Sequence, residues 1–110
     1  MSIFEEEDFT LITDAANGLH GADQERIAIE GLRWLRLLLQ KNRDYGSSVW
    51  AAPVLCPSLP PAAAILVRMS DKVCRIGKLA STDPQVRDES LEDSILDLGA
   101  YALLYLARPK

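Results

Sequence analysis

Residues 62–80, Ala62-Ala63-Ala64-Ile65-Leu66-Val67-Arg68-Met69-Ser70-Asp71-Lys72-Val73-Cys74-Arg75-Ile76-Gly77-Lys78-Leu79-Ala80, decide the fold. Ile65, Met69, Val73 and Ile76 recur at spacings of four and three, with Leu66 and Leu79 beside them, which is the period of a one-sided helix. Arg68, Asp71, Lys72, Arg75 and Lys78 occupy the neighbouring faces. Cys74, next to Val73, reads as a core residue.

Downstream, Ser81-Thr82-Asp83-Pro84 interrupts the pattern, and a further helix is expected from about 86–88 to 107. Leu91, Ile95, Leu98 and Leu106 give it an apolar side, with Ala102 and Leu103 adjoining. Upstream, residues 47–61 hold Pro53, Pro57, Pro60 and Pro61. Proline lacks an amide hydrogen and restricts the residue before it, so this stretch is a loop or a set of short turns. Val49, Trp50, Val54 and Leu55 suggest that it folds against the body. Before it, Ile27, Gly31, Trp34, Leu35 and Leu38 mark a helix from Asp23 to Asn42, broadened by Leu32 and Leu39. Gly31 costs about 1 kcal/mol relative to alanine inside a helix, and close approach of another helix would explain it. Lys41-Asn42-Arg43-Asp44-Tyr45-Gly46 ends the helix with charge and a glycine cap. Phe9 to Ile12 reads as a short helical turn or a loosely packed arm. The expected architecture is therefore all-α: a small helical bundle of three long helices plus a short N-terminal element, in a single domain over 1–110 with a Pro-rich loop at 47–61.

Composition sets the outer bounds. A chain of 110 residues with 48 % hydrophobic and 25 % charged residues suits one soluble domain, to which oligomerisation would add useful buried area. Its net charge of -4 brings no general attraction to phosphate backbones, which disfavours direct DNA binding while leaving room for a nucleotide held through a divalent cation. The start, Met1 to Asp8, has neither a basic region nor an apolar run, so no signal peptide is expected. The apolar stretch near Ala62 to Val67 is too short to span a bilayer. Cys56 and Cys74 form no CxxC pair and, with His20 as the one histidine, make a poor zinc site. A cytosolic chain with two free thiols is the expectation. His20, between two turn glycines, reads as an exposed loop residue. Tyr101 and Tyr105 read as packing residues at a core edge, and Trp34 and Trp50 as core or loop anchors. A glycine-rich phosphate loop, a dinucleotide fingerprint, an HExxH motif and a nucleophile elbow are all lacking.

The pattern with most chemical content is on the last helix. Glu89, Asp93 and Asp97 stand at i, i+4 and i+8, one line on the helix surface. Like charges at this spacing repel, so the arrangement is slightly destabilising unless cations compensate. Two readings are open. The carboxylates bind Mg²⁺ or Mn²⁺, hard ions that favour oxygen ligands, or they pair with Arg68, Lys72, Arg75 and Lys78 in a structural network. Acidic residues favour a first helical turn, which accounts for Glu89 but poorly for Asp93 and hardly for Asp97. Asp97, bracketed by Leu96 and Leu98, is expected to be partly enclosed and to need a partner.

Taken together, Lys41-Asn42-x-Asp44-Tyr45-Gly46, Arg68-x-x-Asp71-Lys72-x-x-Arg75-x-x-x-Leu79 and Asp88-Glu89-Ser90-x-x-Asp93-x-x-x-Asp97-x-x-x-Tyr101 resemble a phage and bacterial family called nucleotide modification associated domain 1. The resemblance runs from Glu30 to Leu104, about two thirds of the chain. That family in turn resembles the all-alpha MazG-like nucleoside triphosphate pyrophosphatases, helical dimers or tetramers that use Mg²⁺ held by acidic residues on two helices. The chain departs from their usual ExxE and ExxD signature: Arg68-x-x-Asp71 stands where ExxE is expected, and Glu89-x-x-x-Asp93 is one residue longer than ExxD.

The resemblance implies a MazG-like fold, a nucleotide substrate, a homodimer or homotetramer, and a cytoplasmic phage or prophage setting. Asp71, Glu89, Asp93 and Asp97 would hold Mg²⁺ (or Mn²⁺). Lys72 and Arg75 would stabilise charge on the phosphoryl oxygens. Lys41, Asp44 and Tyr45 would contact the substrate. The competing expectation is a non-catalytic helical module for nucleotide sensing or protein interaction, in which Lys72 and Arg75 merely neutralise the acidic ladder.

Overall fold

The structure is a computed structural model that describes residues 4–81 and 84–110, with the side chains of Tyr45 and of residues 84–89 outside that description. The described residues form four α-helices, α1 (Glu6–Ala16), α2 (Ala22–Tyr45), α3 (Pro61–Leu79) and α4 (Pro84–Leu106), with a single 3₁₀ turn at Ser48–Trp50 and no strand. The all-α expectation therefore holds, but with four helices where three long ones and a short element were expected. The chain divides into two compact units, Met1–Asp44 and Tyr45–Lys110.

In the first unit, the stretch around Phe9 is neither a single turn nor an arm but part of an 11-residue helix. Its start explains this: the Asp8 carboxylate accepts a hydrogen bond from the Glu5 amide at 3.0 Å. Glu6, Glu7 and Asp8 also place negative charge at the positive end of the helix dipole. After the turn at 17–21, α2 begins with Asp23 and Glu25 in its first turn and runs 24 residues, longer at both ends than its apolar period indicates. It stops at Gly46, whose φ of 72° is the left-handed conformation that glycine supplies at a helix C-terminus without a Cβ penalty. Among the described residues of this unit Ala15 is the buried apolar one, while Ile27, Leu32, Leu35 and Leu39 along α2 are exposed. Gly31 corrects its sequence reading. A Cβ placed there would meet nothing within 4 Å, so no neighbouring helix accounts for it in the described structure.

In the second unit, α3 starts on Pro61, a position where proline's missing amide costs nothing and its fixed φ suits the helix. Helices α3 and α4 pack side by side. Arg68 lies over Tyr101 and, one turn on along α3, Lys72 meets Asp97 one turn back along α4, so the pair is antiparallel. Ile65, 1 % exposed, and Ser94, 2 % exposed, are the most enclosed of the described side chains, and Ala64 is buried beside Ile65.

The seam of α3 runs through Ile65, Met69, Lys72, Ile76 and Leu79, the half-buried and buried positions. Val73 is 56 % exposed, because the lysine one residue earlier takes its place in the seam. On α4 the same substitution occurs. Ser94 faces inward and Ile95 outward, and Leu106 is exposed past the end of the pairing. The Pro-rich stretch is only partly folded down. Trp50 donates its indole N–H to the Leu104 carbonyl at 3.0 Å, anchoring the 3₁₀ turn to α4, whereas Val54 and Leu55 are each 93 % exposed. No helix among the described residues is long and apolar enough to cross a membrane.

Candidate functional site

Lys72 and Asp97 owe their positions to the seam. Because Lys72 falls on the inner edge of α3, its ammonium reaches across to α4 and lies 3.1 Å from Oδ2 of Asp97. Both side chains are only partly covered, at 28 % and 45 % exposure. Asp97 is half-enclosed and has a cationic partner, as its apolar neighbours led us to expect. The partner is a lysine of the same chain. One turn away, the Arg68 guanidinium sits 5.9 Å from the centre of the Tyr101 ring, a cation–π distance. Arg68 thus lies against an aromatic ring on α4.

A second feature lies on α3 itself. Asp71, Lys72, Cys74, Arg75 and Lys78 line a groove of about 350 Å³. Three cations with one carboxylate give it a net positive lining, the electrostatics that favour a polyanionic group such as a chain of phosphates. The groove also corrects the reading of Cys74, which is an exposed free thiol, as is Cys56. Cys74 lies two residues past Lys72, about 200° around the helix, so a seam through Lys72 turns Cys74 outward.

Of the residues singled out from the sequence, Asp71, Lys72 and Arg75 are brought together in this groove, and Lys72 links it to Asp97. Asp93 is exposed on α4, one turn from Asp97. Glu89 and Tyr45 carry side chains outside the described structure. Lys41 and Asp44 are exposed near the C-terminus of α2, in the first unit. Among the described residues, no three histidine, cysteine, aspartate or glutamate side chains converge as a metal site. The donor type does fit a hard divalent ion: Asp93 and Asp97, one turn apart, set two carboxylates on one side of α4, and Mg²⁺ commonly takes one or two carboxylates with water completing its shell.

One groove residue took a different role from its sequence reading, and one contact escaped it. Lys78, read from the sequence only as a possible partner of the acidic ladder, joins the groove because it stands three residues past Arg75 on the same side of α3. Arg108, whose guanidinium donates to the Tyr105 carbonyl at 2.6 Å and lies 4.1 Å from the Tyr105 ring centre, had no signal beyond its place after the last helix. No family model, curated protein or solved structure matches the chain.

Proposed function

We propose that the protein is a Mg²⁺-dependent nucleoside triphosphate pyrophosphohydrolase-like enzyme, acting on an ordinary or modified nucleotide from the α3/α4 face. The observation that carries this reading is the cationic groove of Lys72, Arg75 and Lys78 beside Asp71, joined through Lys72 to the acidic line of α4. A triphosphate laid in that groove would bring its negative oxygens to Lys72 and Arg75. These two would stabilise the charge that grows on the phosphoryl oxygens as the bond to pyrophosphate breaks. Asp71, Glu89, Asp93 and Asp97 would supply the oxygen ligands of the ion. Bound Mg²⁺ neutralises phosphate charge and lowers the pKa of a coordinated water. The resemblance further assigns substrate contacts to Lys41, Asp44 and Tyr45.

The same reading includes a MazG-like bundle completed by association into a homodimer or homotetramer, and a cytoplasmic protein of phage or prophage origin. A second reading has its own observation. Lys72 neutralises Asp97, and Arg68 is engaged with Tyr101, so part of the charge pattern is explained as helix-pairing structure. On that view the chain is a non-catalytic nucleotide-sensing or protein-interaction module.

Calorimetric titration with a panel of nucleoside triphosphates and monophosphates, with and without Mg²⁺, separates the two when released pyrophosphate is assayed in the same samples. Mg²⁺-dependent binding with pyrophosphate release supports the enzyme. Binding without release supports a sensor, and absence of binding leaves the interaction module.

A further inference from the structure

We propose that the Lys72–Asp97 ion pair couples two binding events, by withholding Lys72 from a phosphate chain and Asp97 from a divalent cation until one of the two displaces it. The inference rests on the nucleotide reading above and deepens it, adding a link between the cationic groove of α3 and the carboxylates of α4.

One side chain belongs to both surfaces. The Lys72 ammonium lies 3.1 Å from Oδ2 of Asp97, and the same lysine lines the groove of about 350 Å³ with Arg75 and Lys78. Asp97 in turn stands one turn from the exposed Asp93 on α4. The groove and the acidic line therefore meet at this pair, and each gives up one of its charges to form it.

The two roles of each residue compete. A carboxylate that ligates Mg²⁺ does so at about 2.0–2.1 Å. An ammonium held beside the same carboxylate repels an incoming dication. In the same way, the Asp97 carboxylate cancels part of the attraction between Lys72 and phosphate oxygens. Either ligand, binding alone, must break the pair. Whichever binds first leaves the other's partner free, so the second binds more tightly, and the coupling is the same in either order.

The pair is suited to exchange. Its side chains are 28 % and 45 % exposed, so water reaches both, and a pair this open is worth only a few-fold in an equilibrium constant. Lysine carries a compact charge on a flexible four-carbon stem, which can turn from one partner to the other. The seam itself is held by Ile65 and the aliphatic residues around it, and these need not move.

The test uses the full chain and two simple probes. Inorganic tripolyphosphate is titrated by calorimetry in excess EDTA, and Mn²⁺ is titrated without phosphate, with free ion read by electron paramagnetic resonance. Lys72→Met keeps the stem and removes the charge, while Asp97→Asn keeps the shape. The expected signature is crossed. K72M should bind Mn²⁺ about two- to fivefold more tightly than the native chain, and D97N should gain as much for tripolyphosphate. Each should lose affinity for its own ligand. Lys78→Met and Asp93→Asn remove the same charges from the same two surfaces without touching the pair, and should show neither gain. Far-UV circular dichroism checks that each variant stays helical, and Lys72→Gln repeats the measurement with a polar uncharged end.

Equal gains in K78M and D93N would overturn the proposal, since a general field would then account for them. A native chain that binds nucleotide with Mg²⁺ while neither crossed gain appears would overturn the coupling and leave the enzyme reading standing. Binding of neither probe by any of these proteins would overturn both.

Discussion

Lys72 on α3 reaches Asp97 on α4 at 3.1 Å across the seam of the antiparallel helix pair, so one lysine both ties the helices together and borders the cationic groove. That double position makes it the residue at which the structural and chemical readings part. A pair this exposed is screened by solvent and salt, and its coupling in a K72A/D97A double-mutant cycle should be about 0.2–1 kcal/mol. Urea unfolding of the four proteins in the cycle checks this. A coupling of several kcal/mol would mean that the pair is far more enclosed than its exposure indicates.

The enzyme reading predicts a different pattern. Glu89→Ala and Asp93→Ala should each abolish pyrophosphate release while leaving the helical circular dichroism intact. Arg75→Ala should slow turnover by about 10²–10³-fold, the usual loss when a single transition-state donor is removed. Full activity in either carboxylate variant would refute the assignment of that residue to the metal.

Cys74 supplies a probe of the groove. Both thiols are exposed, so both Cys56 and Cys74 should react with a thiol reagent in the folded protein. If the groove takes a polyphosphate, a nucleoside triphosphate with Mg²⁺ should slow labelling at Cys74 and leave Cys56 unchanged. Mass spectrometry of the labelled peptides reads the two sites separately, and equal rates at Cys74 with and without nucleotide would count against polyphosphate binding there.

The core of the helix pair can be tested by size. Ile65→Ala removes the most enclosed aliphatic side chain and should destabilise the fold by about 2–5 kcal/mol. Ser94→Leu forces extra volume into a position that is 2 % exposed, and should cost about 1–3 kcal/mol by overpacking. Thermal or urea unfolding gives both values. A neutral Ser94→Leu would show that α4 can roll away from α3 at little cost.

Trp50→Phe keeps an aromatic ring but loses the pyrrole half of the indole, and with it the N–H donated to the Leu104 carbonyl. The expected loss is about 0.5–1.5 kcal/mol, concentrated in the 3₁₀ turn and the end of α4. Hydrogen exchange should show faster opening in those two segments and little change at Ile65. A uniform change along the chain would mean that the turn and the helix pair open together.

The sequence by itself determined the three long helices to within a few residues at their ends, but not the extent of α1. Apolar residues at spacings of three and four placed α2, α3 and α4, and Gly46 was read as the cap after α2, whereas Pro61, read as the end of the loop, proved to be the first residue of α3. Those are local properties, set by backbone sterics and by a period that one strand of text displays. It also carried the residues of the groove, since Asp71, Lys72, Arg75 and Lys78 recur along one part of α3.

Which of two adjacent residues turns inward was decided only by the tertiary structure. Lys72 entered the seam and Val73 left it, Ser94 was buried and Ile95 was not, and Cys74 came out onto the surface. The hydrophobic period alone tolerates a rotation of some tens of degrees about the helix axis. The packing of α3 on α4, with a lysine stem laid along the interface and its ammonium paired to Asp97, selects one rotation among them. The acidic ladder illustrates the same limit: its spacing was plain in the sequence, but that Asp97 faces a lysine while Asp93 faces solvent depends on where the neighbouring helix lies.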